Sequence, residues 1–210
     1  MKKLFIYKLL IILIMSIVGA YFYPKLPDLV PIHWGPDGTA DKMGSKLINI
    51  LSFPILNLAV TLLFPILYKI DPKRENYAKF SNIWEIIQFS IIGYFAYLYF
   101  VIIYASLNND ANVAQFMLVG IGVLFIILGN FMGKIRQNYF VGIKLPWTLA
   151  NEEVWNKTHR FSGKLFVIGG ILILLNSFIL FYPFIVFLII LTFIIILPGI
   201  YSYLIFKKHN

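Results

Sequence analysis

The side chains best suited to chemistry lie in two polar segments of an otherwise apolar sequence. The first segment, Tyr23–Lys46, contains His33, Asp37 and Asp41. An imidazole nitrogen and two carboxylates are metal ligands, so these three side chains could hold a cation. A second interpretation is simpler: the aspartates make turn and cap hydrogen bonds, and Trp34 lies at a membrane interface, where tryptophan is enriched. We favour this interpretation over a metal site, and separately we predict a docking surface for an external peptide or protein.

Prolines give this first segment a predicted shape. Proline fixes its own φ and disfavours helix in the residue before it. The range Pro24–Trp34 is therefore expected to be extended and close to polyproline II. Pro36, Asp37 and Gly38 predict a turn, because proline pre-sets one turn position and glycine tolerates positive φ.

The second segment, Arg136–Gly163, is called the polar island below. Its first part, Asn138–Pro146, lacks a helical period and is predicted to be a loop. A short amphipathic helix is predicted over Glu152–Ser162, with its acidic residues in the first turn. The helix can be an interfacial one, or the island can dock a cytoplasmic protein, since aromatic residues and arginine carry much interface energy. The docking candidates are Asn138, Lys144, Trp147, Trp155, His159 and Arg160.

Composition shows what positions these segments. The chain has 210 residues, of which 60% are hydrophobic and 13% charged. Apolar runs of about 18 residues or more predict transmembrane helices, and these runs lack the alternation of barrel strands. The predicted fold is an all-α integral membrane protein with six transmembrane helices. The spans are Leu4–Tyr21, Leu47–Tyr68, Ile83–Leu107, Val113–Met132, Leu165–Phe181 and Pro183–Phe206.

These spans divide the chain into predicted regions. The first helix is expected to stay uncleaved, because its apolar stretch is long for a signal peptide and another span follows shortly. The last two spans form a hairpin around Tyr182 and Pro183. The regions are a first helix (1–22), an extracytoplasmic Pro-rich loop (23–46), helices two to four (47–133), a cytoplasmic loop with a short amphipathic helix (134–164), and a helical hairpin with a basic C-terminus (165–210).

The distribution of positive charge predicts the orientation. Of the 18 lysines and arginines, only Lys25, Lys42 and Lys46 fall outside the side that holds both termini and the polar island. Because cytoplasmic loops collect Lys and Arg, both termini are predicted to be cytoplasmic. The same rule explains the net charge of +9 without nucleic acid as a direct partner.

Catalytic chemistry has little support in the sequence. There is no cysteine, which excludes disulfides and a cysteine nucleophile. The sequence also lacks the usual zinc-protease, serine-hydrolase and phosphate-loop motifs. Glu85 lies inside a span, where an ionisable group is a functional candidate, but its place near the span's cytoplasmic end favours a structural role. The chain is therefore predicted not to be an enzyme and to need no cofactor.

Two signatures resemble the SdpI family of bacterial immunity proteins. Leu26–Trp34 followed by Gly38–Asp41 is similar to the domain of unknown function near the N-terminus of that family. The island residues Asn138, Gly142, Ile143, Lys144, Pro146, Trp147, Thr148 and Leu149, then Glu152, Trp155, His159 and Arg160, resemble the SdpI domain itself. Family members more often carry arginine at the position of Lys144, so the charge is kept here but the bidentate fork is lost.

The resemblance implies a multi-pass protein of the bacterial plasma membrane that protects against an exported antimicrobial peptide or protein toxin. It also implies recruitment of a cytoplasmic transcriptional repressor. The toxin would contact His33, Trp34, Asp37 and Asp41, and membrane lipids would surround the spans. Two other classes remain open: a small transporter or channel that exports or excludes a toxic molecule, using Asn57, Glu85 and Asn130, and an enzyme that uses the first segment with a metal.

Overall fold

The computed structural model describes residues 2–36, 38–108 and 111–209. Within them, six helices are long and apolar enough to cross a membrane, and they coincide with the six predicted spans. The prediction of an all-α membrane protein is confirmed. In chain order the helices are α1 (Lys2–Phe22), α2 (Lys46–Ile70), α3 (Ser81–Leu107), α4 (Val113–Met132), α5 (Pro146–Ala150), α6 (Glu152–Ile179) and α7 (Pro183–His209). Short 3-10 helices cover Tyr23–Lys25 and Arg74–Phe80.

A small β-hairpin connects α1 to α2, which the sequence did not predict. Strand β1 (Leu29–Trp34) pairs antiparallel with β2 (Ala40–Ser45), with irregular register near His33. The backbone of β1 is extended as expected, but strand pairing rather than polyproline II explains it. The predicted turn is present: the Gly38 amide donates to the Gly35 carbonyl at 2.9 Å, and Gly38 has φ of +81°. The start of the range is corrected, since Tyr23–Lys25 is helical.

The hairpin rests on the ends of α1, α2 and α3. Val30 from β1 is fully buried in a cluster with Met15 of α1, Ile50 of α2 and Tyr99 of α3. This apolar contact fixes the base of the hairpin on the bundle. We call this end of the molecule the hairpin end and the opposite end, which holds the polar island, the island end.

Helices α4 and α6 pack most extensively. Glycines face each other at two levels, Gly122 with Gly170 and Gly129 with Gly163. A methyl group added at Gly129 would lie 2.7 Å from the Gly163 carbonyl oxygen, so the two backbones are in direct contact. Small residues permit such close approach between membrane helices, where packing drives association.

The short amphipathic helix predicted over Glu152–Ser162 is not a separate element. Helix α6 runs without interruption to Ile179. Asn151 caps it, its Oδ1 accepting from the amides of Glu153 and Val154 at 2.8 and 3.1 Å. An interior glycine such as Gly163 costs only about 1 kcal/mol in a helix, and here it permits contact with α4. The boundary predicted at 164/165 therefore lies inside a helix, and the second half of the polar island is the beginning of a span.

The predicted tight connection between the last two spans is present. Only three residues separate α6 from α7. Leu180 and Tyr182 take positive φ values of 56° and 38°, and the Leu180 amide donates to the Asn176 carbonyl at 2.8 Å. This left-handed end stops α6 and returns the chain antiparallel.

Candidate functional site

The two candidate sites lie at opposite ends of the bundle. Helix α2 begins directly after the hairpin and ends at Ile70, just before the residues that contact the polar island. Its 25 residues correspond to about 37 Å of helix. No side chain can therefore join the two sites directly, and any communication between them must pass through the helices.

At the hairpin end, the structure brings together two of the four predicted toxin-contact residues. His33 Nδ1 lies 2.5 Å from Asp41 Oδ1 across the two strands, and both side chains are about half exposed. An exposed pair of this kind contributes little to stability, which leaves both groups accessible to a ligand. Trp34 is half-buried against a cluster of Val101, Ala105 and Val113. Asp37 lies outside the described residues.

Polar contacts also hold the base of the hairpin. Lys46 forms a 3.0 Å ion pair with Asp28 and donates to the Leu26 carbonyl at 3.1 Å. The Asn49 amide nitrogen donates to the carbonyl of Pro31 at 3.3 Å. The base is therefore fixed to the start of α2, while the strand residues near the turn remain exposed. Among the described residues, no three His, Asp or Glu side chains converge as metal ligands would.

At the island end, Asn138 organises the loop that precedes α5. Its Oδ1 accepts from the amides of Phe140 and Val141 at 2.9 and 2.7 Å. Its Nδ2 donates to the carbonyls of Arg136 and Val141, both at 2.9 Å. The side chain is fully buried. Because it satisfies four backbone groups at once, Asn138 closes the loop upon itself.

Trp155 and His159 anchor the same loop to α6. Their rings stack with centroids 4.0 Å apart, and both side chains are fully buried. The Trp155 indole donates to the Ile135 carbonyl at 2.9 Å. His159 Nε2 accepts from the Ile143 amide at 3.0 Å, and Nδ1 lies 2.8 Å from the Trp155 carbonyl oxygen. A ring that accepts at Nε2 and donates at Nδ1 is neutral imidazole.

Gly142 is required by this arrangement. Its φ is +116°, and any Cβ atom there would overlap the ring of His159. Both features exclude ordinary side chains. The glycine in the family signature is thus explained by the histidine that lies 17 residues further along the chain.

Asp71 joins the island to the connection between α2 and α3, a role that was not predicted from the sequence. Its Oδ2 accepts from the Tyr139 amide at 3.0 Å and from the Tyr77 hydroxyl at 2.9 Å, and the residue is buried. Lys73, two residues on, donates to the side chain of Gln137. An acidic residue immediately after a span, followed by proline, was the signal that could have drawn attention to it.

Trp147 links the island to α7. Its indole nitrogen donates to the Ser202 hydroxyl at 2.6 Å, and its ring meets the ring of Tyr203 edge-on at 5.5 Å. Thr148 closes α5, because its hydroxyl accepts from the Leu145 amide at 2.9 Å and donates to the Ile143 carbonyl at 2.8 Å. The island is thereby fixed on three sides.

The structure divides the six docking candidates into two groups. Asn138, Trp155 and His159 are fully buried, so their side chains have no surface to offer a partner. Their prediction as contact residues is corrected: they hold the island in shape. Lys144 and Arg160 are exposed, and Trp147 is half-buried. Only these three remain available for contact.

Six spans with polar regions at both ends define a multi-pass helical membrane protein. Residues 134–202 match the SdpI/YfhL protein family, and residues 10–58 match the domain of unknown function DUF1648. The chain is 30% identical over 178 residues to the Immunity protein SdpI of Bacillus subtilis (strain 168), covering 85% of this chain and 83% of the relative. No solved structure matches. The chain belongs to the SdpI/YfhL protein family and is a multi-pass protein of the bacterial plasma membrane.

Proposed function

We propose that this protein confers immunity on its cell against an exported antimicrobial peptide or protein toxin. The observation that carries the proposal is the 30% identity to a protein named for immunity, which extends over 85% of the chain. The two family matches, at residues 10–58 and 134–202, include both polar segments. The protein acts by binding rather than by catalysis. Its likeness to a protein named for immunity supports this part of the proposal.

The toxin contact is assigned to the hairpin. His33 and Asp41 are exposed near the turn, and Trp34 is half-buried. Together with Asp37 they form the predicted contact set. Because the His33–Asp41 pair is solvent-exposed, it contributes little free energy, so a ligand can replace either partner at little cost. Both termini and the island lie on the cytoplasmic side in this proposal, so the hairpin faces the toxin outside.

The island is assigned a second role, recruitment of a cytoplasmic repressor. Lys144 and Arg160 are its exposed candidates, and the buried network of Asn138, Trp155 and His159 fixes the backbone beneath them. A toxin bound at the hairpin can change this surface only if it binds two states of the bundle with different affinity. The helices that connect the ends would carry that difference.

Survival tests the immunity proposal. The chain is expressed in a strain that lacks its own immunity and is exposed to cultures that export candidate toxins. We expect survival with the wild type and loss of protection with the double variant His33→Ala, Asp41→Ala at equal membrane abundance. Lys42→Ala is the matched control, since Lys42 is an exposed charge on the same strand as Asp41 but is not one of the predicted contact residues. The proposal would be overturned if expression of the wild-type protein left killing unchanged for every toxin tried.

Recruitment is tested separately. We expect the double variant Lys144→Ala, Arg160→Ala to abolish membrane recruitment of a cytoplasmic repressor, while membrane insertion and survival remain normal. Lys157→Ala is the control, because Lys157 is an exposed cation of α6 that pairs with Glu153 at 2.6 Å. Recruitment that persists in the double variant would exclude the island surface as the dock.

A small transporter or channel is the competing function. It predicts flux of the toxic molecule through liposomes that contain only this protein. It also predicts that Asn57, buried between α1, α2 and α3, matters more to survival than the hairpin does. Binding would be favoured over transport by two results: protection without any flux through the liposomes, and loss of protection in the hairpin variants but not in variants of Asn57.

A further inference from the structure

An open cavity at the island end contains a buried ion pair that the proposed function does not use. Its volume is about 830 Å³. Helices α1, α2 and α3 and the 3-10 helix Arg74–Phe80 form its walls. Lys8 of α1 and Glu85 of α3 lie in it, with Lys8 Nζ 2.6 Å from Glu85 Oε2.

The two charges are not equally accessible. Lys8 also donates to Gln88 Oε1 at 2.7 Å, and only 4% of its side chain is exposed, against 18% for Glu85. Glu85 uses Oε2 for the lysine, and Oε1 has no hydrogen-bond partner among the described residues. The carboxylate is therefore the group that a ligand in the cavity can reach. Charges inside a span are costly and usually mark a functional site.

The remaining walls suit a cation with an apolar attachment. The rings of Tyr68, Tyr77 and Trp84 line the cavity, and aromatic faces attract cations. Leu4 and Pro65 add apolar surface. The volume exceeds that of a small head group, so part of an attached hydrocarbon or glycerol portion can also enter.

Depth in the membrane indicates where the ligand comes from. Glu85 is four residues from the start of α3, and Pro65 is five residues from the end of α2. At 1.5 Å per residue, the cavity lies about 6 to 8 Å inside the helix ends. In the proposed orientation this end of the spans faces the cytoplasmic leaflet, so the cavity opens near the level of its lipid head groups. Ser81 and Asn82, both exposed, line the cavity at the same end and offer donors to a phosphate.

We propose that this cavity binds the zwitterionic head group of a phospholipid that carries a primary ammonium and a phosphate. The ammonium donates to Glu85 Oε1 and lies against the aromatic rings. The phosphate accepts from Ser81 and Asn82. Lys8 fixes the orientation of the Glu85 carboxylate through their 2.6 Å contact, and the net neutral pair favours a zwitterion over a purely anionic head group. This site is independent of the toxin and repressor surfaces.

Native mass spectrometry of delipidated protein tests the site. Phosphatidylethanolamine and phosphatidylglycerol with the same acyl chains are added in parallel. For the wild type we expect about tenfold tighter retention of phosphatidylethanolamine, since a hydrogen bond to a buried carboxylate is worth a factor of this order. Ala78→Phe, which fills the cavity and keeps the ion pair, should remove the preference. The double variant Lys8→Met, Glu85→Gln removes both charges together and should remove it also.

Ala20→Phe is the matched control. It adds the same ring to the smaller cavity between α1 and α2, which holds no charge, and should leave the preference unchanged. Equal retention of both lipids by the wild type, or an unchanged preference in Ala78→Phe, would overturn the proposal. Full competition by free phosphoethanolamine at the lipid's own concentration would also overturn it, because a soluble zwitterion would then be the ligand.

Discussion

The hairpin and the polar island are both polar segments between spans, yet they are built in opposite ways. The hairpin attaches through its base and leaves His33 and Asp41 exposed. The island buries its most distinctive side chains and makes hydrogen bonds to α2–α3, α6 and α7. The comparison shows that conspicuous residues serve two purposes here: at the hairpin they remain available to a ligand, and in the island they fix the backbone that carries other, exposed residues.

Replacing Trp155, the fully buried tryptophan of the island, should have the largest effect on stability. Trp155→Ala removes a fully buried ring and its hydrogen bond, and we expect a loss of about 3–5 kcal/mol in the free energy of unfolding. Trp34→Ala at the half-buried hairpin site should cost less than about half the loss expected for Trp155→Ala. The reason is that a half-buried ring removes less apolar area from solvent on folding. Denaturant unfolding in detergent micelles measures both. Equal losses would mean that the two ends are equally well packed.

Asn138→Ala should come next. It leaves the buried amides of Phe140 and Val141 without an acceptor, so we expect a loss of about 3 kcal/mol. Asn151→Ala removes an asparagine cap at the start of α6 and should cost about 1 kcal/mol. The same unfolding experiment compares them. A cost for Asn138→Ala no greater than that for Asn151→Ala would contradict a closed loop.

Two glycines with positive φ sharpen the comparison. Gly142→Ala meets both the unfavourable φ and the ring of His159, and should destabilise the protein by about 2 kcal/mol or more. Gly38→Ala at the hairpin turn has a similar φ problem but more open surroundings, so about 1 kcal/mol is expected. Hydrogen exchange should show island amides such as that of Ile143 opening in the first variant only. Protection of Ile143 in Gly142→Ala would argue against the need for glycine.

The smallest effect on stability is expected where the proposed effect on function is largest. His33→Ala and Asp41→Asn break an exposed pair and should each change stability by less than about 1 kcal/mol. Both should nevertheless reduce survival in the presence of toxin. The two measurements are made on the same membrane preparations. A large loss of folded protein would mean that the pair supports the hairpin rather than a ligand.

The spans were predictable because long apolar runs allow only one structure in a membrane. Their number and order agree with the structure. The hairpin was not predictable, because four prolines suggested polyproline and concealed a strand whose partner, Ala40–Ser45, has little apolar character. The start of α6 was assigned to a separate helix since its charges hid the continuity with the span.

At the sites, sequence reasoning found residue types but not their exposure. Trp155 and His159 were predicted to contact a partner, yet both are buried, and their burial depends on Gly142 and Ile135, which approach only in the folded island. Lys8 was counted among the basic residues of the cytoplasmic side. Its pairing with Glu85, 77 positions away, depends on the packing of α1 against α3.

The glycine contacts between α4 and α6 have a mechanical consequence. Two helices whose backbones touch at Gly122–Gly170 and Gly129–Gly163 cannot slide or rotate past each other without separating, so they move as one rigid unit. The island is continuous with that unit through α6. Motion that begins at the hairpin must therefore displace α1–α3 against α4 and α6. The hydrogen bonds from Tyr139 to Asp71 and from Asn76 to Gln137 join the two parts and would have to yield.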